Sequence, residues 1–186
     1  MDVVDVRPAV AGDLPAVAAI YEHYVLTSVA TFEVDPVPTW EWSARFSAVQ
    51  ASGWPFLVAE DGGSVVGYAY ATQWKSRAAY RRTVEDSVYV APAAVGRGVG
   101  RLLLSALVAA VADAGARQVV AAISDTGDDA SASVSLHRSL GFVDVGRLRS
   151  VGFKHDRWVD VVLMQLSLLE SEGPEPKPTR PRLVDG

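Results

Sequence analysis

The sequence has no cysteine. This excludes a disulfide framework, a thiolate metal site and a cysteine nucleophile. It also lacks a positive excess: 17 Lys and Arg stand against 22 Asp and Glu, a net charge of −5, so no basic face argues for nucleic acid or an anionic membrane. The acidic start Met1-Asp2-Val3-Val4-Asp5 has no apolar signal core. The longest apolar run, Leu102 to Ala112, is interrupted by Ser105 and falls far short of the ~20 residues that cross a bilayer. No internal repeat is visible. The expectation is a soluble, cytoplasmic protein with no nucleic-acid or membrane partner and no metal.

What is present suffices for one domain with a sizeable core: 186 residues, 49% hydrophobic and 21% charged. From Glu170 onward, Pro174, Pro176, Pro178 and Pro181 lie among charges with little apolar content. Residues 1–168 therefore read as the domain and 169–186 as a Pro-rich, disordered or extended tail.

Within the domain, Val3 to Val10 reads as a strand with Val4 and Val6 on one face. Asp13 is a good N-cap for a helix carrying Leu14, Val17, Ile20, Tyr21 and Tyr24, with Pro15 placed early where it is tolerated. Thr27 to Val37 is loop-like and holds Phe32. Thr39 would cap a second helix containing Trp40, Trp42, Phe46 and Val49. Trp54 to Glu60 and Val65 to Gln73 read as strands joined at Asp61-Gly62-Gly63. A basic and aromatic loop, Lys75 to Arg82, leads to a strand at Val84 to Val90. Val99 to Ala112 reads as a buried helix ended by Gly115, and Gln118 to Ile123 as a strand. Ser124 to Ala130 is an acidic loop. Ser131 to Leu140 forms a helix that Gly141 stops in a left-handed conformation. Phe142 to Leu148 and Arg157 to Leu168 are two last strands around a loop at Gly152-Phe153-Lys154-His155-Asp156. The pattern predicts an α/β (α+β) domain with one mixed, mostly antiparallel sheet flanked by helices.

The stretch 85–104 organises the chain. Pro92 ends a strand, and Gly96, Gly98 and Gly100 make a turn before a helix. Such a turn exposes backbone N–H groups to an anion, commonly a pyrophosphate. The dinucleotide pattern fails because Arg101 occupies its third glycine position. The phosphate-loop pattern fails because no Gly-Lys pair follows Gly96. Val95-Gly96-Arg97-Gly98-Val99-Gly100 instead resembles the [Q/R]xxGx[G/A] signature of the GNAT superfamily of N-acetyltransferases, with both glycines kept and Val95 replacing the first polar residue. The element order is that of the same fold over residues 1–168. Trp74 to Tyr80 followed by Thr83 to Val90, and Gly152 to His155 followed by Trp158 and Asp160, resemble the phosphinothricin (methionine sulfoximine) N-acetyltransferase branch.

The resemblance implies acetyl-CoA as co-substrate and a small amino-acid acceptor such as phosphinothricin, methionine sulfoximine or methionine sulfone. It implies direct attack in a ternary complex, detoxification as one role and a homodimer as one assembly. Glu85 is the implied general base, since an α-amino group near neutral pH must lose a proton before attack. Asp86, pointing to the other side of the strand, is the competing carboxylate. Val88, Tyr89 and Val90 resemble the strand that splays at a bulge and offers backbone to pantetheine, with the Val90 amide polarising the thioester. Gly96, Arg97, Gly98, Val99, Gly100 and Arg101 would hold the pyrophosphate. His137 stands where relatives carry a Tyr that protonates the departing thiolate. Ser131 or Ser133 would replace an Asn that contacts pantetheine. Lys75, Arg77, Tyr80, Phe32 and His155 are the acceptor-site candidates, the two cations matching the anionic groups of such an acceptor. Two other readings remain at this point: the same fold acting on protein N-termini or an amine antibiotic, and a CoA-binding module without catalysis.

Overall fold

The structure is a computed structural model that describes residues 4–125 and 132–168. The expected start of the first strand at Val3, the acidic loop beyond Asp125, Ser131 and the Pro-rich tail lie outside the described residues. The elements are β1 (Asp5–Pro8), α1 (Leu14–Thr27), α2 (Thr39–Ser52), β2 (Phe56–Asp61), β3 (Ser64–Gln73), β4 (Thr83–Val90), α3 (Val99–Asp113), β5 (Gln118–Asp125), α4 (Ala132–Ser139), β6 (Val143–Lys154) and β7 (Arg157–Ser167). The order is the one the sequence predicts. The strands form one seven-stranded sheet, β1-β2-β3-β4-β5-β7-β6, in which only β4 and β5 pair in parallel.

Alternation along the strands sends side chains to two cores, one on each face of the sheet. On one face, Ala59, Ala69, Ala71 and Val84 meet Leu103, Leu104, Leu107 and Val111 of α3. On the other, Val58 and Tyr68 meet Val17 and Ile20 of α1 and Trp42, Phe46 and Val49 of α2. Trp42 is fully buried and packs edge-on against Tyr21 and Tyr68, whereas Trp40 faces solvent at 72% exposure. β3 lies so close to α3 that a Cβ on Gly67 would sit 2.9 Å from Leu103 Cδ1 and 3.0 Å from the Tyr89 carbonyl oxygen.

Three local expectations are corrected. Thr39 is the first helical residue of α2; Pro38, held extended at φ −68 and ψ 153, occupies the cap position. The Asp13 carboxylate precedes α1 but makes no cap bond to it: it accepts from the Arg7 guanidinium, at 2.8 and 2.9 Å, and from the Val10 N–H. Finally, β6 runs on to Lys154, so the expected loop at 152–156 is a strand end plus a tight turn at His155 and Asp156. A register shift between Leu148 and Gly152, with Ser150 at φ +48, absorbs the irregular stretch and lets pairing with β7 resume.

Gly67→Ala is expected to lower unfolding free energy by about 1–3 kcal/mol through overpacking against α3. Gly12→Ala, with nothing within 4 Å of the added carbon, is expected to change stability little. Urea unfolding of both variants measures the difference.

Candidate functional site

The site arises where the sheet opens. β4 and β5 pair only at Thr83↔Gln118, Val84↔Val119 and Glu85↔Val120. Beyond that, β5 stays paired with β7 to Asp125↔Asp160, and β4 stays paired with β3 to Val90↔Gly67. The β3–β4 register is unbroken, so the opening comes from the divergence of β4 from β5 and not from a bulge in that ladder. Ala91 N–H donates to the Val66 carbonyl, and strand alternation therefore turns the Val88 and Val90 amides away from β3, towards the opening. A cavity of about 950 Å³ fills it, lined by 85–90 of β4, by 121–125 of β5, by the start of α3, by α4 and by residues 27–32 after α1. Because the gap passes through the sheet, side chains from both faces of β4 reach it. The Tyr24 hydroxyl donates to the Val90 carbonyl at 2.6 Å and braces the strand at the gap.

At one end stands the glycine turn. Gly96 and Gly98 have φ of +80 and +82, a region that disfavours side chains, and Gly98 is the N-cap of α3. Leu102 N–H bonds to the Gly98 carbonyl, and the amides of Val99, Gly100 and Arg101 before it have no acceptor within the helix. Together with the positive end of the helix dipole, these amides suit a pyrophosphate. A Cβ on Gly100 would lie 3.3 Å from Leu136 Cδ2, so this glycine also lets α3 approach α4. The two arginines separate. Arg101 lines the cavity and donates to Ser139 Oγ, while Arg97 is turned aside into an ion pair with Asp61 at 2.6 Å.

At the middle are two carboxylates. Glu85 is half-buried; burial pushes its carboxyl above the usual range, the neighbouring Asp86 adds to this, and Lys75 opposes it. Asp86 lies on the other face and is buried, as is His137. His137 Nε2 is 2.9 Å from Asp86 Oδ2, and its Nδ1 donates to the Ser133 carbonyl at 2.7 Å. Burial opposes charge on the imidazole, but these two acceptors outweigh it and raise its pKa. Neither ring nitrogen has a free direction towards the cavity. Among the described residues, Asp86 Oδ1 is buried without a hydrogen-bond partner. Asp86 sits between the core-facing Val84 and Val88, a position where an ionised side chain needs a buried partner. Ser133 lines the cavity; Ser131 lies outside the described residues.

The opposite wall is the segment after α1. Phe32 lines the cavity, and its ring lies against Gly152 so closely that a Cβ there would come within 2.5 Å of it. Lys154 is buried and donates from Nζ to the Thr31 carbonyl at 2.9 Å, with burial lowering its pKa. His155 Nε2 donates to the Ser28 carbonyl at 3.2 Å; it braces this wall and is not part of the lining. Lys75 lies over the Trp74 ring, with Nζ 4.3 Å from its centroid, and Arg77 and Tyr80 are likewise outside the lining. Arg157, which the sequence reading did not single out, does line the cavity. Among the described residues, no group of three or more His, Asp or Glu could hold a metal ion.

Residues 17–142 match the model of the family described as "Acetyltransferase (GNAT) family". The chain is 51% identical over 156 residues to a phosphinothricin N-acetyltransferase of Alcaligenes faecalis, covering 84% of this chain and 78% of the relative. It is 41% identical over 170 residues to an L-methionine sulfoximine/L-methionine sulfone acetyltransferase of Salmonella typhimurium, covering 91% of this chain and 98% of the relative. The structure of a phosphinothricin acetyltransferase from Sinorhizobium meliloti in complex with acetyl-CoA superposes with a TM-score of 0.88 at 43% identity, covering 95% of this chain and 94% of that one. The sheet opening and glycine turn thus belong to a fold that is known with acetyl-CoA bound.

Arg101→Ala is expected to weaken coenzyme A binding about 10-fold, the loss of one charge-assisted contact. Arg97→Ala, whose guanidinium is committed to Asp61, is expected to change it little. Titration calorimetry with coenzyme A separates the two.

Proposed function

The chain belongs to the acetyltransferase (GNAT) family, and from that premise we propose that it transfers the acetyl group of acetyl-CoA to the α-amino group of a small amino acid of the phosphinothricin, methionine sulfoximine or methionine sulfone type. The observation that carries this reading is one cleft holding both an anion cradle at the start of α3 and a half-buried carboxyl, Glu85, whose pKa is raised. When bound, the thioester supplies the acetyl group. Gly96, Gly98, Val99, Gly100 and Arg101 hold its pyrophosphate, and Ser133 with the Val88–Val90 backbone flanks the pantetheine arm. The Val90 amide donates to the carbonyl oxygen as charge develops there.

Glu85 takes a proton from the acceptor's ammonium, directly or through a water. The freed nitrogen bonds to the acetyl carbon, the C–S bond breaks, the sulfur departs as a thiolate on the side of the cleft where His137 lies, and the second proton of the nitrogen passes to that thiolate through water. No cysteine exists to take the acetyl group first, in keeping with direct attack in a ternary complex. Phe32 offers an apolar wall to the acceptor. Arg157, in the lining, and Lys75, whose charge reaches Glu85, are the cations available to its carboxylate. The proposal includes the cytoplasmic location, the homodimer and a role in disarming such analogues. Among the described residues no helix is long and apolar enough to cross a membrane.

Thiol release with purified protein tests the reading, with phosphinothricin, methionine sulfoximine, methionine sulfone and an amine antibiotic compared at equal concentration. Turnover confined to the amino-acid analogues is expected; turnover with the antibiotic alone would refute it. Glu85→Gln should lower kcat by about 10²–10⁴-fold with coenzyme A binding intact. A base works only when deprotonated, so the raised pKa of Glu85 should place the acid limb of kcat/KM above the ordinary carboxylate range of about 4.3. Lys75→Ala removes the charge that lowers this pKa, and the limb should move to higher pH.

A further inference from the structure

The buried Asp86–His137 pair is not used by the mechanism above beyond the location of His137. Its side chains are 3% and 4% exposed, on β4 and α4 respectively. The Ser133 carbonyl can only accept a hydrogen bond, so Nδ1 must carry a proton to donate at 2.7 Å. Asp86 Oδ2, 2.9 Å from Nε2, accepts in the same way when ionised. With Asp86 ionised, two acceptors on one ring require two ring protons. Among the described residues, three charged groups on the elements around the ring have partners of their own. Arg101 of α3 is bonded to Ser139, Arg138 of α4 is paired with Asp144, and Asp125 at the end of β5 is paired with Arg147. Glu85 projects from the opposite face of β4. The Phe142 ring, 4.9 Å away and perpendicular, closes the remaining side.

We propose that Asp86 is a positioning residue for acetyl transfer: it holds His137 as a fixed imidazolium on the coenzyme side of the cleft, so that a positive charge stands ready where the thiolate departs. The pair is neutral as a whole, which lets it be buried, yet its cationic half is on α4, facing the region into which negative charge moves. Both N–H groups are engaged, so His137 acts through its charge, as a preorganised electrostatic group, and its protons stay where they are. Asp86 acts through His137. Among the described residues Oδ1 has no hydrogen-bond partner, a desolvation cost that the ion pair with His137 must offset. The inference rests on the transfer reading for its functional half; the protonation of His137 is independent of it.

The test begins on the unaltered protein. Nitrogen-15 NMR of the histidine rings should show both His137 nitrogens protonated at about pH 8, far above the ordinary imidazole value of about 6.5. One bare ring nitrogen at that pH would overturn the proposal without any variant. In Asp86→Asn the burial that opposes charge loses the larger part of its offset, leaving only the Ser133 carbonyl. His137 should then be neutral at the same pH, kcat should fall about 10-fold or more with coenzyme A affinity unchanged, and the basic limb of the pH profile should move to lower pH. In a His137→Gln background, Asp86→Asn should cause no further loss of kcat. A charged His137 in Asp86→Asn, or a neutral one with full kcat, would overturn the positioning role. If no acceptor is turned over, the NMR result still decides the charge state, and the failure falls on the transfer reading alone.

Discussion

Everything in this molecule depends on two neighbouring strands pairing for three residues and then parting. Up to Glu85 and Val120 the sheet is continuous; beyond them β4 follows β3 and β5 follows β7. A parted sheet leaves backbone amides without a ladder partner, which is normally a liability in a buried strand. Here the amides of Val88 and Val90 face a cavity large enough for an extended ligand with its own acceptors. The two cores hold the arms of the gap apart. Packing of α3 under β3 and β4 fixes one arm, and antiparallel pairing of β5 with β7 fixes the other.

The gap also divides the chemistry by face. Strand alternation sends Glu85 to the side of α1 and its aromatic neighbours, and Asp86 to the side of α3 and α4. Two adjacent carboxylates in one cleft would repel each other if both were left bare. Asp86 is compensated by the His137 ring, and Glu85 is left half-buried with a raised pKa and, among the described residues, no hydrogen-bond partner. The proposed base and the proposed positioning residue thus lie next to each other along the chain, with the thickness of the sheet between their roles.

Much of this was legible in the sequence because it is local. Gly141 reads as a left-handed stop and has positive φ, as do Gly115 at the end of α3 and Gly96 and Gly98 of the glycine turn. The strand–turn–helix at 85–104 and the element order follow from alternation and punctuation. What was not legible comes from partners far apart. Asp86 and His137 are 51 residues apart, and only the placement of Asp86 between Val84 and Val88 hinted at a buried partner. Asp13 looked like a cap, but the Arg7 fork, brought near by β1, competes for its carboxylate with two hydrogen bonds. The end of β6 looked like a loop because Gly152 and the polar residues near it resemble turn chemistry; pairing with β7 overrides that local preference. Arg97 and Arg101 were indistinguishable by spacing, and Asp61 on the β2–β3 hairpin separates them.

The wall bearing Phe32 is held by contacts from a different part of the chain than those that build the anion cradle. Gly152 gives the ring its seat, and Lys154 and His155 pin the carbonyls of Thr31 and Ser28. The cradle is fixed by α3, Asp61 and Ser139 and shares none of these contacts. The last hairpin can therefore drift in sequence and reshape one wall while the other end of the cleft keeps its form. Such a scaffold lets one half of the cleft change shape without disturbing the other.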